Sequence, residues 1–421
     1  MRDPYVAGMG KDDVWIRGRR TLRLGLLVVG SVLAAFPARA GGLYANEYGT
    51  PEMGTAGAGA EASALDASTA IPFNNPAGMT LLEGSQLLLA AGALLPDIQF
   101  AVDPATTFSG GDGGQAGNPV PILTAAYVHS FGDRFRLGIA LYGAAGAALE
   151  YELDWVGRRQ AQTSEILAFS VSPTVAYRVN EWLSVGGGLN IVASSLDFQV
   201  EGVIPGSRIA MDGSDTQVSF NASAMLELSE RSRIGISYVS ETEFDYAGDV
   251  TRTPRDLTSP VNTKLTLADV VRVGLHHGIS DKVAIVGTVG WENWSALANQ
   301  YVSVGQVGTA TLPRNWEDTY RFGAGVHFRP SDPWLLRFGA TYDTSPTDAA
   351  DRTADLPVDR QLRVAAGIQN QRTERFSWGA QLLYADLGGA KIDSSGVLGN
   401  LVGSYSTNAY VGIAGNLQWR F

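Results

Sequence analysis

The sequence predicts an all-β fold, a 14-stranded antiparallel transmembrane β-barrel preceded by an N-terminal hatch, or plug, and three observations carry that prediction. Segments of strict apolar and polar alternation recur from about residue 85 to the last residue, as strands with one apolar face require. The connections between them alternate between short polar turns and long loops. The chain also ends inside the last segment, where Val411, Ile413, Leu417, Trp419 and Phe421 keep the alternation to an aromatic carboxyl terminus.

Residues 1–40 stand apart from this pattern. Arg2, Lys11, Arg17, Arg19, Arg20 and Arg23 precede the apolar run Leu24 to Phe36, and Ala38-Arg39-Ala40 follows it. A basic region, a short apolar core and a small-residue cleavage pattern read as a secretory signal peptide cut after Ala40. The run is shorter than the roughly 20 residues a helix needs to cross a bilayer. Of 31 basic and 42 acidic residues, the first forty hold seven basic and three acidic, which leaves the mature chain 24 against 39. An acidic body excludes nucleic acid as a partner, because phosphate binding needs clustered positive charge. The absence of cysteine excludes disulfide frameworks, thiolate metal sites and thiol catalysis.

Residues 41–84 do not alternate. They are rich in Gly, Ala and Ser (Gly54, Ala56, Gly57, Ala58, Gly59, Ala60) and end in Phe73-Asn74-Asn75-Pro76-Ala77-Gly78. Such a segment cannot form its own core, so it is either a linker or a plug packed against the inner wall of a barrel. The residue before Pro76 is expected to be extended, at a fixed joint between plug and first strand.

The barrel occupies residues 85–421. Strands are expected near 85–100, 120–131, 134–151, 163–178, 182–200, 216–229, 232–247, 263–279, 282–296, 318–329, 334–346, 360–371, 375–389 and 404–421. Val218, Phe220, Ala222, Ala224, Leu226 and Leu228 show the apolar face of one strand, with Ser219, Asn221, Ser223 and Glu227 between them. Short turns include Phe131-Gly132-Asp133, Val179-Asn180-Glu181 and Ser280-Asp281, whereas long loops are expected at 101–119, 152–162, 201–215, 248–262, 297–317, 347–359 and 390–403. Strands this long exceed the usual 5 or 6 residues of soluble β-sandwiches. Trp182, Trp334, Trp378 and Trp419 on the turn side, and Trp155, Trp291, Trp294 and Trp316 on the loop side, read as two interfacial girdles. Closure satisfies every backbone group in lipid, which an open sheet cannot do.

Nothing in the sequence points to catalysis. His129, His276, His277 and His327 lie in no metal-binding or nucleophile motif, and His276 and His277 face opposite sides of one strand. Gly186-Gly187-Gly188 precedes no helix and is no phosphate loop. No enzyme activity, cofactor or metal is expected.

Several motifs in order resemble one family. They are the N-terminal Gly41-Gly42-Leu43-Tyr44-Ala45-Asn46-Glu47, the closing Asn75-Pro76-Ala77, Asp154-Trp155-Val156-Gly157-Arg158, the stretch from Ser172-Pro173 to Gly186, Asn315-Trp316-Glu317-Asp318-Thr319-Tyr320-Arg321, and Tyr342-Asp343-Thr344-Ser345-Pro346 leading to Leu356-Pro357-Val358-Asp359-Arg360. Together they resemble the FadL-type long-chain fatty acid transporters, a family that includes outer-membrane channels for toluene and other aromatic hydrocarbons. The resemblance implies a fourteen-stranded barrel with an N-terminal hatch, in agreement with the strand count. One departure is Tyr142 to Ala148, where many members carry Pro-Phe-Gly.

The function expected is passive uptake of hydrophobic molecules through the outer membrane of a Gram-negative cell. Long-chain fatty acids are the leading substrate, with aromatic hydrocarbons or a structural or adhesive surface barrel as alternatives. Strand parity turns Arg272, Arg321, Arg337 and Arg363 inward, where each could pair with a ligand carboxylate or join an internal salt-bridge network. Gly143, Ala144, Ala145 and Gly146 abandon the alternation of Leu137, Ile139 and Leu141, so a bulge and a lateral opening into the membrane are expected there. Other expected partners are outer-membrane lipid and the barrel-assembly machinery, read through the strand ending at Phe421. The chain is expected to act as a monomer.

Overall fold

A computed structural model describes residues 42–202, 204, 206–254, 257–305, 308–396 and 399–421. The expected signal peptide and Gly41 lie outside the described residues. Fourteen strands follow one another around a closed ring. They are β1 (Gln86–Val102), β2 (Val120–Phe131), β3 (Phe135–Glu150), β4 (Thr163–Arg178), β5 (Leu183–Glu201), β6 (Arg208–Ser229), β7 (Ser232–Val239 continued by Thr242–Thr253), β8 (Leu257–Leu267 and Val270–Gly278), β9 (Val283–Glu292 and Asn299–Val304), β10 (Gly308–Pro313 and Thr319–Ser331), β11 (Trp334–Asp343), β12 (Gln361–Thr373), β13 (Phe376–Asp386 and Ile392–Gly396) and β14 (Gly399–Arg420). Neighbours pair antiparallel, and β1 closes the ring on β14 from Gln86↔Arg420 to Val102↔Gly403.

The two faces are inverted relative to a water-soluble sheet. Val218, Phe220, Ile413 and Leu382 are more than half exposed, whereas Ser219, Asn221, Thr341 and Arg321 on the opposite face are buried. Exposed apolar and buried polar side chains are what a lipid-facing wall around a filled interior demands.

Three sequence expectations are corrected, two in the wall and one in the N-terminal segment. Four of the expected long loops, 201–215, 248–262, 297–317 and 390–403, are largely strand, so that β6 starts at Arg208 and pairs with β5 from Glu201↔Arg208 onward. Above the lipid both faces meet water or loops, so apolar alternation lapses while the hydrogen-bonded ladder continues. The loop-side girdle is largely lost, because Trp155, Trp294 and Trp316 are buried at 0%, 0% and 3% exposure and of the four only Trp291 is partly exposed. They sit where strands are interrupted or already ended, and their rings turn inward or into the loop core. The turn-side tryptophans do face outward, Trp182 at 55% exposure.

Residues 42–82 are buried almost throughout, and their short helical turns contact inward faces of strands on every side of the ring. Inward glycines make the room: a Cβ on Gly235 would lie 1.7 Å from the carbonyl oxygen of Glu61, and one on Gly339 2.4 Å from that of Thr55. Asn75 is not extended but sits at φ 76°, and Pro76 opens the helical turn Pro76–Leu81. Asparagine tolerates this region better than most residues. Its side chain is held at both ends, Nδ2 donating to the carbonyl oxygens of Glu61 (2.7 Å) and Ala224 (2.9 Å) and Oδ1 accepting from the Ala77 amide (3.1 Å). The Ala77 amide also donates to Ser223 Oγ on β6 at 3.0 Å, which fixes the motif to the wall.

Candidate functional site

The wall is incomplete between β2 and β3. Their pairing runs from Phe131↔Phe135 to Ala125↔Leu141 and stops, while β2 continues along β1 to Leu94↔Val120. On its other side β3 stays paired with β4, with a register shift between Gly143 and Ala145 that leaves Ala144 as the extra residue of a bulge. Gly143 to Gly146 therefore form a stretch of β3 that β2 does not reach.

The chain's own N-terminal segment takes up the backbone groups left free. The Ala45 amide donates to the Ala144 carbonyl at 3.1 Å, and the Gly146 amide donates to the Leu43 carbonyl at 3.2 Å. Tyr44 and Ala145 form the antiparallel bridge between these bonds. Higher up the β1–β2 loop closes the gap, the Asn118 amide donating to Ala148 O and the Glu150 amide to Ala116 O.

A cavity of about 220 Å³ occupies the gap. It is lined from inside by Tyr44, Tyr48 and Leu356, and from the lipid side by Leu123 and Phe169. Leu123 is 57% exposed and Phe169 41% exposed on the outer surface, so the cavity is lined by inward-facing and outward-facing residues alike. A Cβ on Gly143 would meet nothing within 4 Å, which shows how open the strand is there.

Behind the cavity lies an aromatic cluster that sequence periodicity does not reveal. Tyr44 packs on Phe73 at 5.2 Å and on Trp294 at 5.3 Å between ring centroids, and Tyr48 packs on Tyr142 at 5.4 Å. Tyr44 is anchored by its hydroxyl, which donates to the carbonyl of Ala268.

All four inward arginines are buried at 3% exposure, and three of them meet. Arg321 holds Asp343 with two bonds, Nε to Oδ1 at 2.7 Å and Nη2 to Oδ2 at 3.0 Å. Arg363 reaches the same Oδ2 through Nη1 and donates from Nε to Glu47 Oε1 at 2.7 Å. Arg272 donates to Glu292 Oε1 at 3.0 Å and lies 5.0 Å over the Phe73 ring. Asn46 Oδ1 accepts from both Arg272 (2.9 Å) and Arg321 (3.0 Å), tying the cations to the N-terminal segment. Three guanidinium groups thus face three protein carboxylates, a balanced and desolvated network. Arg337 stands apart, its Nη1 3.8 Å from Glu52 Oε1. The carboxylates Glu47, Glu292 and Asp343 escape sequence reasoning, because nothing in their spacing ties them to the arginines.

Above the cavity the segment 344–360 forms a roof, with Leu356, Pro357, Val358 and Asp359 among the lining residues. It is clamped by Arg314, which donates to Asp355 from Nη1 at 2.9 Å and from Nη2 at 2.6 Å. Burial would raise the pKa of Asp355, but the Arg314 charge outweighs it and holds the carboxyl below its ordinary value. A second loop core stacks Tyr151 on Trp155 at 3.9 Å and joins the hydroxyls of Tyr151 and Tyr405 at 2.6 Å.

Known proteins share this architecture. A Pseudomonas aeruginosa FadL homologue of known structure superposes with a TM-score of 0.83 at 20% identity, covering 90% of this chain and all of that one. The Ralstonia pickettii toluene transporter TbuX superposes with a TM-score of 0.67 at 18% identity, covering 89% and 99%. In sequence the chain is 26% identical over 411 residues to a putative outer membrane protein of Neisseria meningitidis serogroup B, covering 83% of this chain and 86% of that one. It is 22% identical over 393 residues to the long-chain fatty acid transport protein of Escherichia coli K12, covering 81% and 86%. Residues 31–421 match the family described as outer membrane protein transport protein (OMPP1/FadL/TodX), and the chain belongs to that family of outer-membrane transporters.

Proposed function

We propose that this barrel is a passive channel for hydrophobic molecules, long-chain fatty acids foremost, which enter from the loop side and leave sideways through the gap between β2 and β3. The observation that carries this reading is the cavity shared by inward and lipid-facing residues. At about 0.8 kcal/mol per buried methylene, a long alkyl chain strongly favours direct passage into lipid over release into the aqueous periplasm. The N-terminal segment acts as a hatch, blocking a straight aqueous path while its Leu43–Ala45 edge borders the sideways one. The same inward arginines could receive a fatty-acid carboxylate, Arg363 by exchanging Glu47 for it.

A second reading, an aromatic hydrocarbon channel, is favoured by the pairing of Arg272, Arg321 and Arg363 with protein carboxylates, which leaves no free cation of that trio facing the cavity.

The test replaces Gly143 and Gly146 together by Val and measures uptake of labelled oleate and of toluene by cells carrying each form. Open space at Gly143 lets the new side chain project into the gap. Loss of uptake with normal assembly is expected, and the solute that is lost separates the two readings. Uptake of both at the unmodified rate would falsify lateral release at β3.

A further inference from the structure

Below the balanced arginine network a second set of basic groups lies at the turn-side end of the interior, and several of its polar atoms are left without a hydrogen-bond partner. Arg233 pairs across strands with His276, and His327 with Arg337. Between the two pairs β9 offers only small or aliphatic inward residues, Ala284 and Val286, and the His276 and His327 rings approach to 5.8 Å between centroids. Arg337 and His327 are buried at 3% and 5% exposure, and Arg233 and His276 are half-buried toward the turn side.

The carboxylates nearby leave these atoms without a hydrogen bond. Glu227, which pairs across strands with Arg233, accepts from Arg178 Nη2 at 2.6 Å. Glu52 accepts from Ser68 Oγ at 3.1 Å and forms only a long ion pair with Arg337, Oε1 to Nη1 at 3.8 Å. Asp66 caps the amide of Ser68 at 2.9 Å.

Among the described residues twelve buried side-chain polar atoms lack a hydrogen-bond partner, and five of them belong to this one group: Nε and Nη1 of Arg337, Nε of Arg233, Nδ1 of His276 and Oγ of Ser63. Ser63 belongs to the N-terminal segment, and its carbonyl accepts from Arg233 Nη2 at 2.7 Å. Buried donors left unpaired are costly, and guanidinium and hydroxyl donors are the complement of an oxyanion.

We infer that Arg337, His327, His276 and Arg233, together with Ser63, form a binding site for a small oxyanion, phosphate or carboxylate, on the periplasmic side of the N-terminal segment. The anion enters past the half-buried Arg233 and His276 edge and is received by the enclosed Arg337 and His327 edge. Its ligand is either a free ion or the charged head of an amphiphile, and the site is separate from the cavity at β3.

The test titrates the intact mature barrel in non-ionic detergent with inorganic phosphate and, separately, with dodecyl phosphate, following phosphorus NMR relaxation of each probe. Saturable binding is expected, about tenfold weaker in Arg337→Gln and in His327→Gln, since each substitution removes one strong charge-assisted contact. Lys282→Gln, on the exposed turn beside the site, is expected to bind as the unmodified protein does. Heat-modifiable migration on gels reports folding of every variant. Dependence of inorganic phosphate binding on Arg337 and His327 identifies a free-ion site, and dependence of dodecyl phosphate alone identifies a head-group site. No saturable binding of either probe, or binding equal in all variants, overturns the inference.

Discussion

The amide of Ala45 donates to the carbonyl of Ala144 at 3.1 Å, in a place where a closed barrel would set a residue of β2. A three-residue edge of the N-terminal segment thus substitutes for a missing run of strand. If this contact seals the gap, Ala45→Pro, which removes the donor, should loosen it. The cost is about 1 kcal/mol. Faster uptake of hydrophobic solute by cells, with unchanged barrel assembly, is the expected outcome, and slower uptake would contradict it.

Asp343 serves Arg321 and Arg363 together. Asp343→Asn leaves Arg321 without its carboxylate partner and Arg363 with Glu47 alone, in a buried site where removing one partner costs roughly 3–5 kcal/mol. The urea midpoint of the folded barrel should fall markedly. Replacement of the exposed Asp281, whose partner Arg231 is itself half exposed, should leave the midpoint almost where it was.

The clamp on the roof depends on pH. Asp355 is held below its ordinary value of 3.8, so its pairing with Arg314 contributes stability that is present above that value and lost as pH falls through the lower folded-state value. Limited proteolysis of segment 344–360 should therefore accelerate only below about pH 4. In Asp355→Asn the same cleavage should be fast at neutral pH and show no acid transition.

Deleting Gly41 to Leu65 tests the hatch. This segment fills the interior with residues such as Met53, Ala58 and Ala62, all buried below 3% exposure. Single-channel conductance in planar bilayers should rise severalfold without it. Conductance equal to that of the intact chain would show that the remaining interior is closed by other means.

Strand content within the lipid band was legible because one face must be apolar, and Leu137, Ile139 and Leu141 announce it. The break after Leu141 was equally legible, since six Gly and Ala residues cannot alternate. Strand parity alone was enough to turn Arg272, Arg321, Arg337 and Arg363 inward. Their partners were not legible: Glu47 lies 316 residues from Arg363, and only the fold brings them together. Leu43 to Ala45 was missed as a strand substitute because three residues carry no period. Trp294 and Trp316 were misplaced because a tryptophan near a strand end looks the same whether its ring meets lipid or Tyr44. The extension of β6 to Arg208 was hidden because the stretch from Met211 to Thr216 has no apolar face.

The salt bridge between Glu47 and Arg363 has a consequence for how the protein is made. Glu47 belongs to the N-terminal segment, and Arg363 belongs to β12, 316 residues further along the chain. The contact cannot form until most of the wall has been laid down. Native contacts of such long sequence separation slow the search for the folded state. The seating of the N-terminal segment at Arg363 is therefore tied to the laying down of the wall that receives it.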